Sequence, residues 1–310
     1  MGFIKQLALK VNRSEIEVTT FLRNAPQKYK VYTIPKRTSG YRVIAQPSKE
    51  LKEYQRAFLE SHKFLIHNAA MAYRNGLSIK DNAQKHKKNC YLLKLDLENF
   101  FNSISSKLFW KVWETLQSLP PEEERLLIEN LLFWCPSKTI GGKLVLSVGA
   151  PSSPLISNFF MYHFDVAISD ICADKNIVYS RYADDLTFST QKKDVLFDMP
   201  LIIKNQLDTL FGNSIRINRK KTKFSSKAHN RHVTGITINN DGKLSLGRER
   251  KKYIKHLVHQ FQLKKLDKDK LHHLKGLLAF AKHIEPQFVK SLIQKYSIEL
   301  INQIVKESND

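Results

Sequence analysis

Cysteine is scarce in this chain. Cys90, Cys135 and Cys172 stand far apart, with no Cys-x-x-Cys pair. That spacing excludes a disulfide framework and a zinc ribbon. Two His-x-x-His pairs, His229 with His232 and His256 with His259, have no third ligand close in sequence. Structural zinc sites are usually four-coordinate and cysteine-rich, so solvated histidines on basic surfaces are the expected reading. Long apolar runs are also missing: nothing approaches the roughly 18 apolar residues a membrane span needs. Lys5 and Lys10 interrupt the N-terminal segment, which does not read as a signal peptide. The residues after Gly2 lack the Ser or Thr of a myristoylation signal. A cytoplasmic protein without membrane association is therefore expected. There is no internal repeat and no low-complexity segment. Acidic residues are the last shortage, at 29 Asp and Glu against 51 Lys and Arg, a net charge of +22. A balance so basic points to a polyanionic partner, nucleic acid ahead of an acidic membrane surface.

What is present is a chain of 310 residues, long enough for two or three subdomains around one cleft. Residues 1–27 read as short helices. Residues 29–46 alternate through Tyr29, Val31, Ile34, a turn at residues 37–40, then Tyr41 and Val43, which predicts a basic β-hairpin. Ser48 is placed to cap a helix over 47–68. A buried strand is expected at 90–97, and a helix at 105–117 capped by Ser105 or Ser106. A further helix at 122–134 begins with three glutamates, which suit a helix N-terminus. Ser153-Pro154 starts another helix, with Leu155, Phe159, Tyr162 and Val166 on one face. Two β-rich runs span 177–190. A helix near 196–211 and strands near 215–217, 233–238 and 243–246 follow. From Gly247 onward the pattern is helical, with lysine-rich intervening faces. The fold class is α+β, ending in a basic helical subdomain.

The chemistry concentrates in carboxylates. Asp184 and Asp185 sit in a tight turn between the two β-prone runs. Adjacent carboxylates repel, so the arrangement costs stability unless a cation is held there. Hard oxygen ligands suit Mg²⁺, which takes one or two carboxylates plus substrate phosphates. Asp96 ends an otherwise apolar strand, where an unpaired carboxylate would be costly to bury. A metal shared with the Asp184–Asp185 turn removes that cost. Two ions about 3.5–4 Å apart activate an attacking hydroxyl and stabilise a departing pyrophosphate oxygen, which is phosphoryl transfer.

The string Tyr182-Ala183-Asp184-Asp185 resembles the signature of reverse transcriptases, and further blocks follow the family's order over about residues 29–247. Asp96 with Phe100-Phe101 resembles the first carboxylate block. Gly149 through Ser153-Pro154 resembles the template-contacting block. Asn218 through Lys221-Thr222 resembles the lysine block. The resemblance implies a right-hand polymerase: N-terminal helices and fingers over 1–89, palm over 90–246, and a helical basic thumb over 247–310. It implies two Mg²⁺ ions held at Asp96, Leu97, Asp184 and Asp185, with the three aspartates catalytic. Phe101 becomes the gate that excludes a ribose 2′-hydroxyl, while Phe100 is a core ring. Lys36 and Arg42 would hold the incoming triphosphate, and Arg can do so bidentately. Lys221 would donate a proton to pyrophosphate or contact the triphosphate, and Arg181 and Tyr182 would pack beside primer or template. Val148 stands where the family usually has glutamine, which puts fine positioning of the nucleotide in question, not the metal chemistry.

Two shorter strings resemble retron reverse transcriptases. Asn82-Ala83-x-x-His86 precedes the first catalytic strand, and Val233-Thr234-Gly235 follows the lysine block. Taken singly, a polar cap with a solvated histidine would explain the first, and a strand with a turn glycine the second. The retron resemblance implies a cognate structured noncoding RNA, priming from a guanosine 2′-hydroxyl, a branched RNA–DNA product built from deoxynucleotide triphosphates, and an effector partner in antiphage defence. Lys251, Lys252, Lys255, Lys264 and Lys265 would grip RNA phosphates, a salt-dependent contact. The alternatives are a small bacterial reverse transcriptase of diversity-generating or abortive-infection type, and a non-catalytic RNA-binding scaffold for an effector.

Overall fold

A computed structural model describes residues 2–36, 40–139 and 141–306. The chain opens with α1 (Phe3–Val11) and α2 (Glu15–Arg23). Ser14 starts α2 through a capping box: its hydroxyl accepts from the Glu17 amide, and the Glu17 carboxylate accepts from the Ser14 amide. β1 (Tyr29–Pro35) and β2 (Tyr41–Pro47) then pair antiparallel, with Ile34 opposite Arg42. Of the turn expected at 37–40, residues 37–39 lie outside the described residues. Ser48 caps α3 (Lys49–Ser61) as expected, but the helix ends well short of residue 68. His62 leaves it in extended conformation, its ring stacked on Phe58 at 4.0 Å.

α4 (Ile79–His86), opened by a Ser78–Asp81 capping box, leads to β3 (Tyr91–Asp96). α5 (Phe100–Ser103), α6 (Ser106–Leu116, capped by Ser105) and α7 (Glu122–Leu132) follow. The helix expected from Ser153 is two helices, α8 (Ser153–Phe160) and α9 (Tyr162–Asp174), broken at Met161. Its expected face is also corrected. The buried apolar residues are Ile156, Phe159, Phe160, Phe164 and Ile168, whereas Leu155, Tyr162 and Val166 are half-buried. α8 is enclosed on nearly all sides, so its periodicity carries no single face.

β4 (Val178–Tyr182) and β5 (Asp185–Thr190) flank the acidic turn, and α10 (Met199–Phe211) follows. No strand forms at 215–217; Ile217 makes only an isolated bridge to Leu97. β6 (Lys223–Ser226) completes a four-stranded sheet in the order β4-β5-β3-β6. β7 (Arg231–Val233), β8 (Ile236–Ile238) and β9 (Leu244–Ser245) make a second, three-stranded sheet. The chain continues through α11 (Arg248–Gln262), α12 (Lys268–Ile284), α13 (Pro286–Tyr296) and α14 (Ile298–Lys306).

The chain divides into two compact units. One comprises residues 2–75, 94–188 and 194–223; the other comprises 76–93, 189–193 and 224–306. The second has its own core, in which Ala83, Val233, Ile236, Leu257, Leu278 and Leu292 are buried together. Burying such side chains contributes about 1.5–3 kcal/mol each, which is why helices with strongly basic outer faces still pack. On those faces Lys252, Lys255, Lys264 and Lys265 are exposed, while Lys251 is half-buried and paired with Glu285. Among the described residues no helix is long and apolar enough to cross a membrane.

Candidate active site

Asp96 ends β3, whose Leu92, Leu93 and Leu95 are buried, and is itself only 8% exposed. Backbone hydrogen bonds tie the end of β3 to the Tyr182–Asp185 turn and to Asn218. The Leu97 amide donates to the Asp184 carbonyl at 2.9 Å, and the Asn218 amide donates to the Asp96 carbonyl at 2.7 Å. The turn requires Ala183 to adopt φ +57°, a left-handed conformation uncommon for any residue but glycine.

Arg181 holds that conformation. It is fully buried, so the expectation that it packs beside primer or template is corrected. Its Nη1 donates to the Ala183 carbonyl at 3.2 Å and to Asn158 Oδ1 at 3.1 Å. Its Nε and Nη2 donate to the Asp165 carboxylate, the shorter bond being 2.6 Å, and the Tyr179 hydroxyl donates to the same carboxylate at 2.8 Å. The sequence carries no signal for this network. Asp165 lies on a helix and Arg181 on a strand, and only the packing of α9 against β4 brings them together.

The electrostatics of the turn call for a cation. Burial, then Asp185 and Asp96, push the Asp184 carboxyl up to about 6. Burial also raises Asp185, against the pull of Lys94 and Lys221. Lys221 Nζ pairs with Asp96 Oδ2 at 2.7 Å. Lys94, one position N-terminal to Leu95 on β3, is a cation of the site that sequence reasoning missed. Among the described residues no three His, Cys, Asp or Glu side chains form a ready-made cage for a metal. The donor set nevertheless fits Mg²⁺, which needs only one or two protein carboxylates when substrate oxygens complete its shell.

Beside the turn lies a cavity of about 350 Å³ lined by Phe101, Val148, Gly149, Ser153, Pro154 and six other residues. Phe100 is buried and Phe101 half-exposed, with ring centroids 5.5 Å apart. Gly149 has φ +133°, and a Cβ there would come within 3.0 Å of the Ala45 carbonyl. The Ala45 amide donates to the Val148 carbonyl at 3.0 Å, so the glycine lets the β1–β2 hairpin approach the cavity wall. The Ser153 hydroxyl is buried without a partner. Arg42 and Lys36 are exposed on the hairpin. None of the three aspartates lines this cavity or the larger grooves of about 690, 650 and 450 Å³.

The two shorter motifs fall in the second unit. Asn82, His86 and Val233 have no exposed surface, so they present no side chain to an RNA. His86 Nδ1 lies 2.8 Å from Ser189 Oγ, which also accepts from Asn89 Nδ2 at 2.8 Å. The alternative of a solvated histidine is thereby excluded, since His86 is a core residue. Thr234, at φ +46°, donates its hydroxyl to the Ile79 carbonyl, and Gly235 at φ +80° completes the β7–β8 turn.

Burial, then Lys85, push His86 down to about 3. A depressed histidine favours folding only while it stays neutral. The unfolded chain takes up the proton from about pH 6.5 downward, so stability falls through the window from about 6.5 to 3. Between pH 7.5 and 5 the wild type is expected to lose about 2 kcal/mol from this group. His86→Gln should show a correspondingly flatter urea midpoint over that range. An equal slope in both proteins would mean that His86 titrates normally.

Sheet, acidic turn and adjoining cavity together define the palm of a nucleic-acid polymerase. The family described as reverse transcriptase (RNA-dependent DNA polymerase) matches residues 34–238. The retron Ec83 reverse transcriptase of Escherichia coli is 50% identical over 282 residues, covering 90% of each chain. The retron Ec73 reverse transcriptase of the same species is 32% identical, covering 89% of each. Among solved structures, telomerase from Candida albicans aligns over 91% of this chain and 61% of its own, at 14% identity and a TM-score of 0.47. The chain belongs to the retron-type reverse transcriptases, which are RNA-directed DNA polymerases with the right-hand fold.

Proposed function

We propose that this polymerase copies part of a cognate structured noncoding RNA into DNA, starting from a guanosine 2′-hydroxyl and leaving a branched RNA–DNA molecule. The observation that carries the polymerase chemistry is the set of Asp96, Asp184 and Asp185, crowded enough to raise Asp184 to about 6, beside a nucleotide-sized cavity. Kinship with retron enzymes on both halves of the chain supports the branched product.

The three aspartates, with the Leu97 backbone, would hold two Mg²⁺ ions. When bound, these neutralise charge on the attacking hydroxyl and the departing pyrophosphate. The protein's own groups do the rest. Arg42 and Lys36 bind the triphosphate from the hairpin side. Phe101 fills the space a ribose 2′-hydroxyl would need. Lys221, released from Asp96, is a proton source for the pyrophosphate oxygen. Gly149, Ser153 and Pro154 shape the wall on which the template runs. The exposed lysines of α11 and the following loop bind RNA phosphates, and an effector protein in antiphage defence completes the system.

The test is to purify the protein from a cell carrying its native locus and analyse the bound nucleic acid. The expected result is an RNase-resistant DNA that shifts in size on 2′–5′ debranching and is missing when Asp184 and Asp185 are both changed to Asn. Copurifying RNA alone, identical in wild type and variant, would sink the branched-product mechanism.

A further inference from the structure

Tyr73 is a feature of the first unit that the roles above leave unexplained. Its φ is +59°, a backbone conformation costly for a bulky side chain. Such strain persists where the surroundings over-determine it, and it clusters at ligand clamps. Here the pins are visible. The Met71 amide donates to the Arg181 carbonyl at 2.7 Å, and Asn158 Nδ2 donates to the Ala72 carbonyl at 2.8 Å. The residues before it, Ala69 to Ala72, are buried, whereas Tyr73 is 48% exposed. The strained turn thus drives one ring out of a buried segment and into the cavity that Phe101 lines.

The surroundings define what that ring could hold. The wall from Val148 to Pro151 carries no side-chain hydrogen-bond donor, and besides Tyr73 the donors of the cavity are Lys52, Arg56, Ser147 and Ser153. The Tyr73 hydroxyl is raised by burial first and then by the charge of Asp184, while Arg42 pulls the other way. The hydroxyl thus feels the charge of the acidic turn and of the hairpin, and it stays a neutral donor at physiological pH.

We propose that Tyr73 is a specificity-determining residue of the nucleotide cavity, its ring packing on the sugar of the incoming deoxynucleoside triphosphate from a side other than that of Phe101 and its hydroxyl donating to the sugar–phosphate. This rests on the reading of Asp96, Asp184 and Asp185 as the polymerase carboxylates.

The experiment is steady-state extension of oligo(dT) on poly(rA) with dTTP, together with urea unfolding, for Tyr73→Phe, Tyr73→Asn and an Asp184→Asn control. Tyr73→Phe should raise KM for dTTP by about three- to tenfold, the loss of one hydrogen bond, with a smaller effect on kcat. Tyr73→Asn should raise KM further, having lost the ring. It should also shift the unfolding midpoint upward, because Asn tolerates the left-handed conformation. Wild-type KM in both variants overturns the assignment, as does Tyr73→Phe losing kcat and stability together at unchanged KM. If Asp184→Asn still extends the primer, the underlying carboxylate reading fails. If it is inactive while both Tyr73 variants keep the wild-type KM, only the role of Tyr73 fails.

Discussion

Asp184→Asn is expected to abolish DNA synthesis while making the metal-free protein more stable. The two effects have one cause. Burial, Asp185 and Asp96 raise the Asp184 carboxyl to about 6, so at pH 7.5 the folded protein carries an ionised group its surroundings disfavour. A raised carboxylate pKa means the folded state binds more protons than the unfolded between about 4 and 6. Stability contributed by the protonated form is therefore lost as pH rises through that window. Asparagine keeps the shape and removes the charge, which should recover on the order of 1–3 kcal/mol in urea unfolding with EDTA at pH 7.5. Primer extension should fall by roughly 10²–10³-fold or more, as when a transition-state charge loses its partner. A variant that is inactive but no more stable would show that the charge crowding is relieved some other way. One that retains a tenth of the activity would remove Asp184 from the chemistry.

Arg181→Met is expected to cost about 3–5 kcal/mol, because it leaves the Asp165 carboxylate buried without its cation. Arg181 and Asp165 are both fully buried, so solvent cannot compensate. Changing both residues, Arg181→Met with Asp165→Leu, should restore most of the stability, since a buried pair replaced by apolar groups of similar volume is often neutral. Polymerisation should not return with it. The Ala183 carbonyl would still lack the donor that holds its left-handed turn, and the carboxylates of Asp184 and Asp185 would lose their position. Thermal unfolding and primer extension on the three proteins separate the roles. Recovery of both stability and activity in the double variant would reduce Arg181 to a filler of the core.

Several parts of the site were legible because they are local. The Asp184–Asp185 turn is bracketed by β-forming residues, Asp96 follows an apolar run, and Ser48 and Ser105 cap the helices that follow them. Each signal lies within a few residues of what it specifies. The face of α8 was misread because a helix enclosed all round has no polar stripe to orient it. The burial of His86 was not legible, because a histidine on a lysine-rich helix reads as a surface residue, free in solvent or facing RNA, until its surroundings are known.

The sequence by itself determined the chemistry available: three carboxylates in the order a polymerase needs, a charge suited to nucleic acid, and the succession of strands and helices that carries them. These follow from residue type, spacing and short-range propensity, which depend little on the rest of the chain. Only the tertiary structure decided that Arg181 faces Asp165 and not a nucleic acid, that Lys221 rests on Asp96, that Gly149 admits the hairpin, and that Tyr73 is pushed into the cavity. Those relations join groups far apart in the chain, and whether a buried charge is paired or a strained backbone held depends on what packs against it.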